Sequence, residues 1–508
     1  MEREIELKLL VSANAGEILN SYLESNFPHR YTASEANLYN QYFDTPDKQL
    51  RRMDIGLRVR GKDNQFEQTL KTQGSVVGGL HSRPEYNVPL DDDKVNLPLF
   101  PDSAWPDDAN VERLQSEVQP LFTTHFKRIS FEVSCSNDSQ VEVVFDSGLV
   151  EANGHKEPIC EVELELKQGS VADLCDFARG LAEVLPFRLG SRSKAARGYA
   201  LAAQSYVEPN NELIVLPLTA KDSNEQAFIN ALTFGFDYWQ QHQSAYCDSN
   251  KIRYLGCMYR GMRLTLQALV LFMPNIECPE VLKLHQKLTE LVDEWSWVEG
   301  LSRIKQFRSK KGLFRKLIDK SPAFLSYLQG RSEGLLIQNA PIKNITDKNY
   351  SQACLDIVQL LSEKPWRKHN DSWEHSIADT AKSRLTQSWH NIVQIMPYKK
   401  SMTAEQYVAC EVVLRQTQFN GLFLAGLYNS PERDQFRSHW IDLLSGIEEL
   451  NTLSFLFDEV AGAYQSEEKE ESRAEFESLQ GWCQDKIQHL LAVMEQSRKH
   501  VVKIEPYW

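Results

Sequence analysis

Through residues 1 to about 204, apolar and polar side chains alternate in short segments broken by Gly, Pro, Asp and Asn. Examples are Glu4-Ile5-Glu6-Leu7-Lys8, Leu57-Arg58-Val59-Arg60, Phe66-Glu67-Gln68-Thr69-Leu70-Lys71 and Glu161-Val162-Glu163-Leu164-Glu165-Leu166-Lys167. A period of two sends successive side chains to opposite faces, so these segments read as strands. Apolar residues near 14–27 and 170–185 have helical spacing instead. The region is therefore mainly β with a few helices.

The polar face of each strand carries a specialised set. Glu4, Glu6 and Lys8 share one face of the first strand, opposite Ile5, Leu7 and Leu9. Later strands offer Arg58 and Arg60, then Glu67, Thr69 and Lys71, then Arg83, Glu85 and Asn87. Arg128, Ser130 and Glu132 follow, then Glu142 with Asp146, then Glu161, Glu163, Glu165 and Lys167. The segment Ser191–Tyr199 adds Lys194 and Arg197. A solvated sheet face mixes its charges without such pattern. If the sheet closes and these faces turn inward, unpartnered charges would be costly, so the interior must be wet and occupied. Arg and Lys grip phosphate oxygens, Arg in bidentate fashion. Closely spaced carboxylates suit a hard divalent cation such as Mg²⁺ or Mn²⁺. Both sets in one lumen point to a polyanion with its metal ions.

The rest of the chain has another texture. Val207-Glu208-Pro209-Asn210-Asn211-Glu212 is turn-forming and polar, and reads as part of a linker over 205–218. From 219 onward long amphipathic runs take over, with prolines expected at their ends, which predicts an all-helical domain over 219–508. Met262–Phe272 and Val412–Phe423 each set one Arg ahead of an apolar helical stripe, hinting at two similar bundles. With 508 residues, at least two domains are expected. Lys and Arg number 56 against 70 Asp and Glu, a net charge of −14 that argues against general nucleic-acid binding. No apolar run approaches the length of a membrane span, and the start Met-Glu-Arg-Glu lacks a signal peptide's order. The nine scattered cysteines contain no CxxC pair, which favours reduced thiols and a cytoplasmic location over zinc ribbons or disulfides.

The ExExK pattern occurs twice, at Glu4/Glu6/Lys8 and Glu163/Glu165/Lys167, so alone it says little. Its position says more. An ExExK on the first strand, then Gly56-Leu57-Arg58-Val59-Arg60, a strand ending in Lys71, Arg83-Pro84-Glu85, an acidic late strand and Ser193-Lys194-Ala195 together resemble the CYTH family, the triphosphate tunnel metalloenzymes. Tyr42-Phe43-Asp44-Thr45-Pro46-Asp47 adds to the likeness. The helical half resembles a CHAD domain. The resemblance implies an α+β multidomain chain: an eight-stranded antiparallel β-barrel with outer helices over 1–204, then an all-α domain of two four-helix bundles.

For function it implies hydrolysis of inorganic triphosphate to pyrophosphate and phosphate with Mg²⁺ or Mn²⁺. Lys8, Arg58, Arg60, Lys71, Arg83, Arg128 and Lys194 are the expected substrate-binding residues. Glu4, Glu6, Asp146, Glu161, Glu163 and Glu165 are the expected metal ligands, with Lys8, Lys194 and Glu6 closest to the chemistry. Adenylate cyclase and thiamine triphosphatase share the fold and are the enzymatic alternatives; a polyphosphate-binding module is the non-enzymatic one. In the helical half the helices expected to bind polyphosphate keep Arg253, Arg260, Arg263 and Arg415 but lack the family's histidines. That half is therefore expected to act as a scaffold, unless the basic run Arg303–Lys316 substitutes.

Overall fold

The computed structural model describes residues 2–508 apart from Asp63–Asn64, Ser136–Asn137, Ser205–Val207 and Leu313. The strands are β1 (Glu2–Leu10), β2 (Tyr31–Asp44), β3 (Gly56–Lys62), β4 (Gln65–Lys71), β5 (Ser75–Val77), β6 (Leu80–Leu90), β7 (Gln119–Ser134), β8 (Gln140–Ala152), β9 (His155–Gln168) and β10 (Arg188–Leu189). They form one sheet in the order β10-β1-β9-β8-β7-β2-β3-β4-β6-β5, and β1 also pairs with β6. That pairing closes eight antiparallel strands into a barrel, with β5 and β10 as short additions. Asn153 and Gly154, at φ 50 and 79, make the two-residue hairpin between β8 and β9.

Alternation then decides what lies inside. Leu7 and Leu9 are fully buried on the outer face of β1, as are Leu19 and Leu23 of helix Ala15–Asn26 and Leu174, Ala178 and Leu181 of helix Val171–Ala182. Both helices match the expected spans. Their capping differs: Ser170 and Asp173 form a reciprocal capping box, while Asn14 makes no side-chain cap. The polar faces are left for the lumen. Asp44 fixes one rim, accepting from the backbone N–H of Thr45, Leu50 and Arg51 and from the Tyr199 hydroxyl at 2.7 Å.

The chain divides into two compact units, Met1–Glu208 with Ile342–Lys364, and Pro209–Pro341 with Pro365–Trp508. This differs from the sequence reading in two places. The start of the expected linker, 205–207, lies outside the described residues. The remainder from 209 belongs to the second unit, where Leu216 and Leu218 are buried and the Leu216 N–H donates to Leu422 O at 2.9 Å. Helix Lys348–Glu363, expected in the helical half, packs in the first unit against helix Val171–Ala182. Arg179 meets Asp356 at 2.8 Å, Lys348 meets Glu183 at 2.6 Å and Ser351 donates to Phe187 O at 2.5 Å. A fragment ending at residue 204 lacks this helix. It should bind an apolar dye and melt below a 1–208 fragment carrying 342–364 on a short linker; equal melting would show that the helix adds nothing.

The second unit is helical throughout. Its buried side chains include a cluster around Phe307, Phe324, Leu456 and Phe476 and another around Tyr407, Leu414, Leu443 and Ile447. Both draw on the long helices Ser430–Ser466 and Glu470–Val501. Pro274 lies inside helix Ile252–Ile276 rather than beyond its end. No described helix is long and apolar enough to cross a membrane.

Candidate active site

Strand register gathers the charged faces. Glu4 stands opposite Arg83 and Glu6 opposite His81 across β1 and β6. Glu6 stands opposite Glu165 and Lys8 opposite Glu163 across β1 and β9. Asp146 pairs with Glu161 on one side and Arg128 on the other. Asn40 faces Arg60, Tyr42 faces Arg58, and Lys71 faces Glu85.

These rows line a cavity of about 310 Å³ inside the barrel. Eight basic side chains reach it: Lys8, Arg58, Arg60, Lys71, Arg83, Arg128, Lys167 and Lys194. Six carboxylates do so: Glu4, Glu6, Glu85, Glu142, Glu163 and Glu165. All seven expected substrate-binding residues are therefore brought together, with four of the six expected metal ligands. Asp146 and Glu161 are fully buried and do not line the cavity.

Those two form a floor with Glu163. Oxygens of the three carboxylates lie within 4.8 Å of one another, close enough for a metal ion. An ammonium takes that place: Lys194 Nζ lies 2.6 Å from Asp146, 2.5 Å from Glu161 and 3.0 Å from Glu163. Lys8 Nζ donates to Glu161 at 3.1 Å and also to Glu163. Arg128 grips Asp146 through two bonds of 2.7 and 2.6 Å and reaches Glu163 at 3.0 Å, while Arg197 meets Glu161 at 3.3 Å. Burial alone would raise the Glu163 pKa, but Lys194, Lys8 and Arg128 hold it well below the usual carboxylate range. Asp146 and Glu161 are lowered against the same burial, chiefly by Lys194.

Toward the other side of the cavity the acids are less well matched. Burial raises Glu4 to about 8; its Lys71 contact opposes this, and Glu6 and Glu85 reinforce it. Glu165 is also raised, first by burial, against Lys167. Carboxylates that prefer a proton in a wet site lack cationic charge, and their oxygens are the donors a hard divalent ion selects. Glu4 and Glu165 thus fit such an ion better than the ion-paired floor does, and Glu6, which stands opposite Glu165 across β1 and β9, lines the cavity with them.

The basic side shows the opposite lack. Arg58 Nε and Arg83 Nε are buried with no hydrogen-bond partner, a cost removed only when an acceptor is present. Arg60 is lowered to about 9 by burial and by the nearby Arg58 and Arg128, so three guanidiniums crowd one region. An anion there would satisfy the Arg58 and Arg83 Nε–H groups and offset the crowding of charge at Arg60.

Glu85, Glu142 and Lys167 were read as strand faces but given no role, and His81 was missed. Stepping back two residues from Arg83 along the strand would have found it. The cavity shares Arg60, Arg128 and Glu142 with an opening of about 810 Å³ at the barrel mouth. There Arg60, Lys62 and Arg128 balance Glu67, Glu132 and Glu142, so the excess of positive charge stops at the cavity.

Residues 2–199 match the CYTH domain family. A 215-residue stretch is 41% identical to the inorganic triphosphatase of Haemophilus influenzae, covering 41% of this chain and 57% of that protein. The chain thus spans somewhat over half the length of the curated relative it matches. Among solved structures, HpAC1 of Hippeastrum, which has a dominant triphosphatase activity, is similar at 16% identity and a TM-score of 0.29 over 40% of this chain and 97% of that one. The CHAD domain of the plant Ricinus communis is similar at 16% identity and a TM-score of 0.40 over 58% of this chain and 96% of that one. The closed barrel, its inward charge and the match over residues 2–199 together make this N-terminal region a member of the CYTH family.

Proposed function

We propose that the barrel hydrolyses inorganic triphosphate to pyrophosphate and phosphate. The observation that carries this reading is the cavity itself, where eight cations and six carboxylates face one enclosed space. Arg58, Arg60, Lys71, Arg83 and Arg128 hold the phosphate oxygens. Lys8, held by Glu161 and Glu163, presents its one remaining N–H toward the terminal phosphate, and Lys194, held by three carboxylates, acts on it through its charge. Glu4, Glu6 and Glu165, with Glu163 of the floor, which also lines the cavity, would hold Mg²⁺ or Mn²⁺, and that ion would supply neutralising charge and lower the pKa of a water. The walls keep the phosphorus in line with the incoming water, so positioning and electrostatics carry the rate. Charge balance at the mouth favours a chain of three phosphates over a long one, since the one cation added there among the described lining residues, Lys62, is opposed by Glu67 and Glu132. The test is phosphate release from triphosphate, ATP, thiamine triphosphate and long-chain polyphosphate. Faster release from any of the last three would displace this reading.

Arg58→Ala should lower kcat/KM for triphosphate by about 2–4 kcal/mol, roughly 30- to 1000-fold. Arg58→Lys should recover only part, because a point charge cannot reproduce the guanidinium fork. Full recovery would mean that the position sets only the field.

A groove of about 540 Å³ in the second unit favours a separate polyphosphate-binding role there. The sequence predicts a scaffold because the two helices hold only four Arg between them and lack the family's histidines. Arg253, Arg260, Arg263 and Arg415 share this groove with Arg303, Lys305 and Lys311 of the basic run, against only Glu299, Glu411 and Glu448. Lys305 is lowered by burial and then by Arg253, the mark of crowded cations. Full-length protein should bind long-chain polyphosphate with steep salt dependence, and Arg260→Ala with Lys305→Ala and Lys311→Ala should weaken it at least tenfold. Unchanged binding in that variant restores the scaffold reading.

A further inference from the structure

Lys8 sits where β1 changes neighbours. From Glu2 to Leu7 one edge of the strand pairs with β6, and at Leu9 and Leu10 the same edge pairs with β10. Lys8 falls between. Its N–H donates to Gly79 O at 2.9 Å on the β6 side, and its C=O accepts from Gly190 N–H at 2.9 Å on the β10 side. The two glycines are pressed against it: a Cβ on Gly190 would meet the Lys8 side chain at 3.0 Å, and one on Gly79 would meet Lys8 O at 2.9 Å. On this edge Lys8 is therefore held by single bonds to two glycines, while its other edge pairs with β9 opposite Glu163.

His81 spans the gap. It belongs to β6, is 4% exposed, and its Nε2 lies 3.2 Å from Gly190 O. A carbonyl can only accept, so Nε2 carries the proton and donates it. The ring thus joins β6 to the β10 end directly beneath Lys8. Burial lowers the His81 pKa, in keeping with a neutral ring in this one tautomer.

We propose that His81 is a positioning residue that straps Gly190 to β6 and thereby holds the Lys8 ammonium on Glu161 and Glu163. The proposal rests on the triphosphatase reading for its kinetic arm, and a second arm is independent of catalysis. Gln places an amide N–H near the position of Nε2, whereas Asn is too short to reach Gly190 and mimics Nδ1 instead. In the full-length protein His81→Ala and His81→Asn should lower kcat for triphosphate by about 10- to 100-fold, the scale of a misplaced group, with KM changed less than about threefold. His81→Gln should return kcat to within about threefold of wild type. In parallel, the rate at which an amine-acylating reagent modifies Lys8, read by mass spectrometry, should rise in His81→Ala and His81→Asn and stay low in His81→Gln. Melting curves identify any variant that fails to fold, and the Gln and Asn pair then decides. Rescue by Asn but not Gln would assign the role to Nδ1 in the cavity and overturn the strap. Wild-type kcat and Lys8 labelling in His81→Ala would also overturn it. If the wild type does not hydrolyse triphosphate, the reaction assigned above fails, while the labelling rates still decide the strap.

Discussion

Lys194→Met should destabilise the first unit by ~3–5 kcal/mol, the cost of leaving a buried ion cluster short of one partner, and lower its Tm by roughly 10 °C. Lys194 Nζ contacts Asp146, Glu161 and Glu163 at 2.6, 2.5 and 3.0 Å. Asp146 and Glu161 are fully buried, so water cannot replace the lost ammonium. Met reproduces the unbranched side chain out to Cε and removes only the ammonium, including its place over the Phe126 ring at 5.1 Å. Combining it with Glu161→Gln removes one negative charge from the cluster that has lost an ammonium and should recover part of the loss. Thermal melts of the two single variants and the double variant measure the coupling. Additive losses, or a Tm unchanged in Lys194→Met, would mean that Lys194 is a substrate contact without a structural share.

Lys194 also shows what the sequence could and could not reveal. Alternation placed Glu4, Glu6, Lys8, Arg58, Arg60, Lys71 and Arg83 on strand faces, because a period of two fixes the face of each residue. It did not fix depth. Glu161, Glu163 and Glu165 share one face of β9, yet Glu161 is buried in the floor while Glu163 and Glu165 reach the cavity. Depth depends on the register between neighbouring strands and on where a following helix delivers Lys194, and neither is local. His81 lies two residues before Arg83 in β6, so the same alternation places it on the inward face. In the helical half, an amphipathic pattern predicts a covered face but does not name the cover, so helix Lys348–Glu363 was assigned to its sequence neighbours rather than to helix Val171–Ala182. The groove was hidden for a related reason, since its cations come from separate helices and a loop.

The larger effect is expected at the carboxylates around Glu4. Burial and the neighbouring Glu6 and Glu85 make Glu4 prefer a proton, held at about 8 despite Lys71. A divalent ion in that place would relieve the repulsion and the burial cost together. Glu4→Gln with Glu6→Gln keeps the shape of the site and removes the charge that selects a cation. That variant should fold as the wild type does, with a Tm no lower, and lose triphosphate hydrolysis by roughly three orders of magnitude, equivalent to about 4 kcal/mol. Calorimetric titration with Mn²⁺ should show binding to the wild type and none at the same concentrations in the variant.

Phosphate release from triphosphate by the full-length protein, followed with Mg²⁺, with Mn²⁺ and with EDTA, tests the central claim most directly. Metal-dependent tunnel hydrolysis predicts turnover with one or both ions, its loss in EDTA and its return when metal is restored. Undiminished turnover in EDTA, or none with either ion in a folded protein, would contradict it.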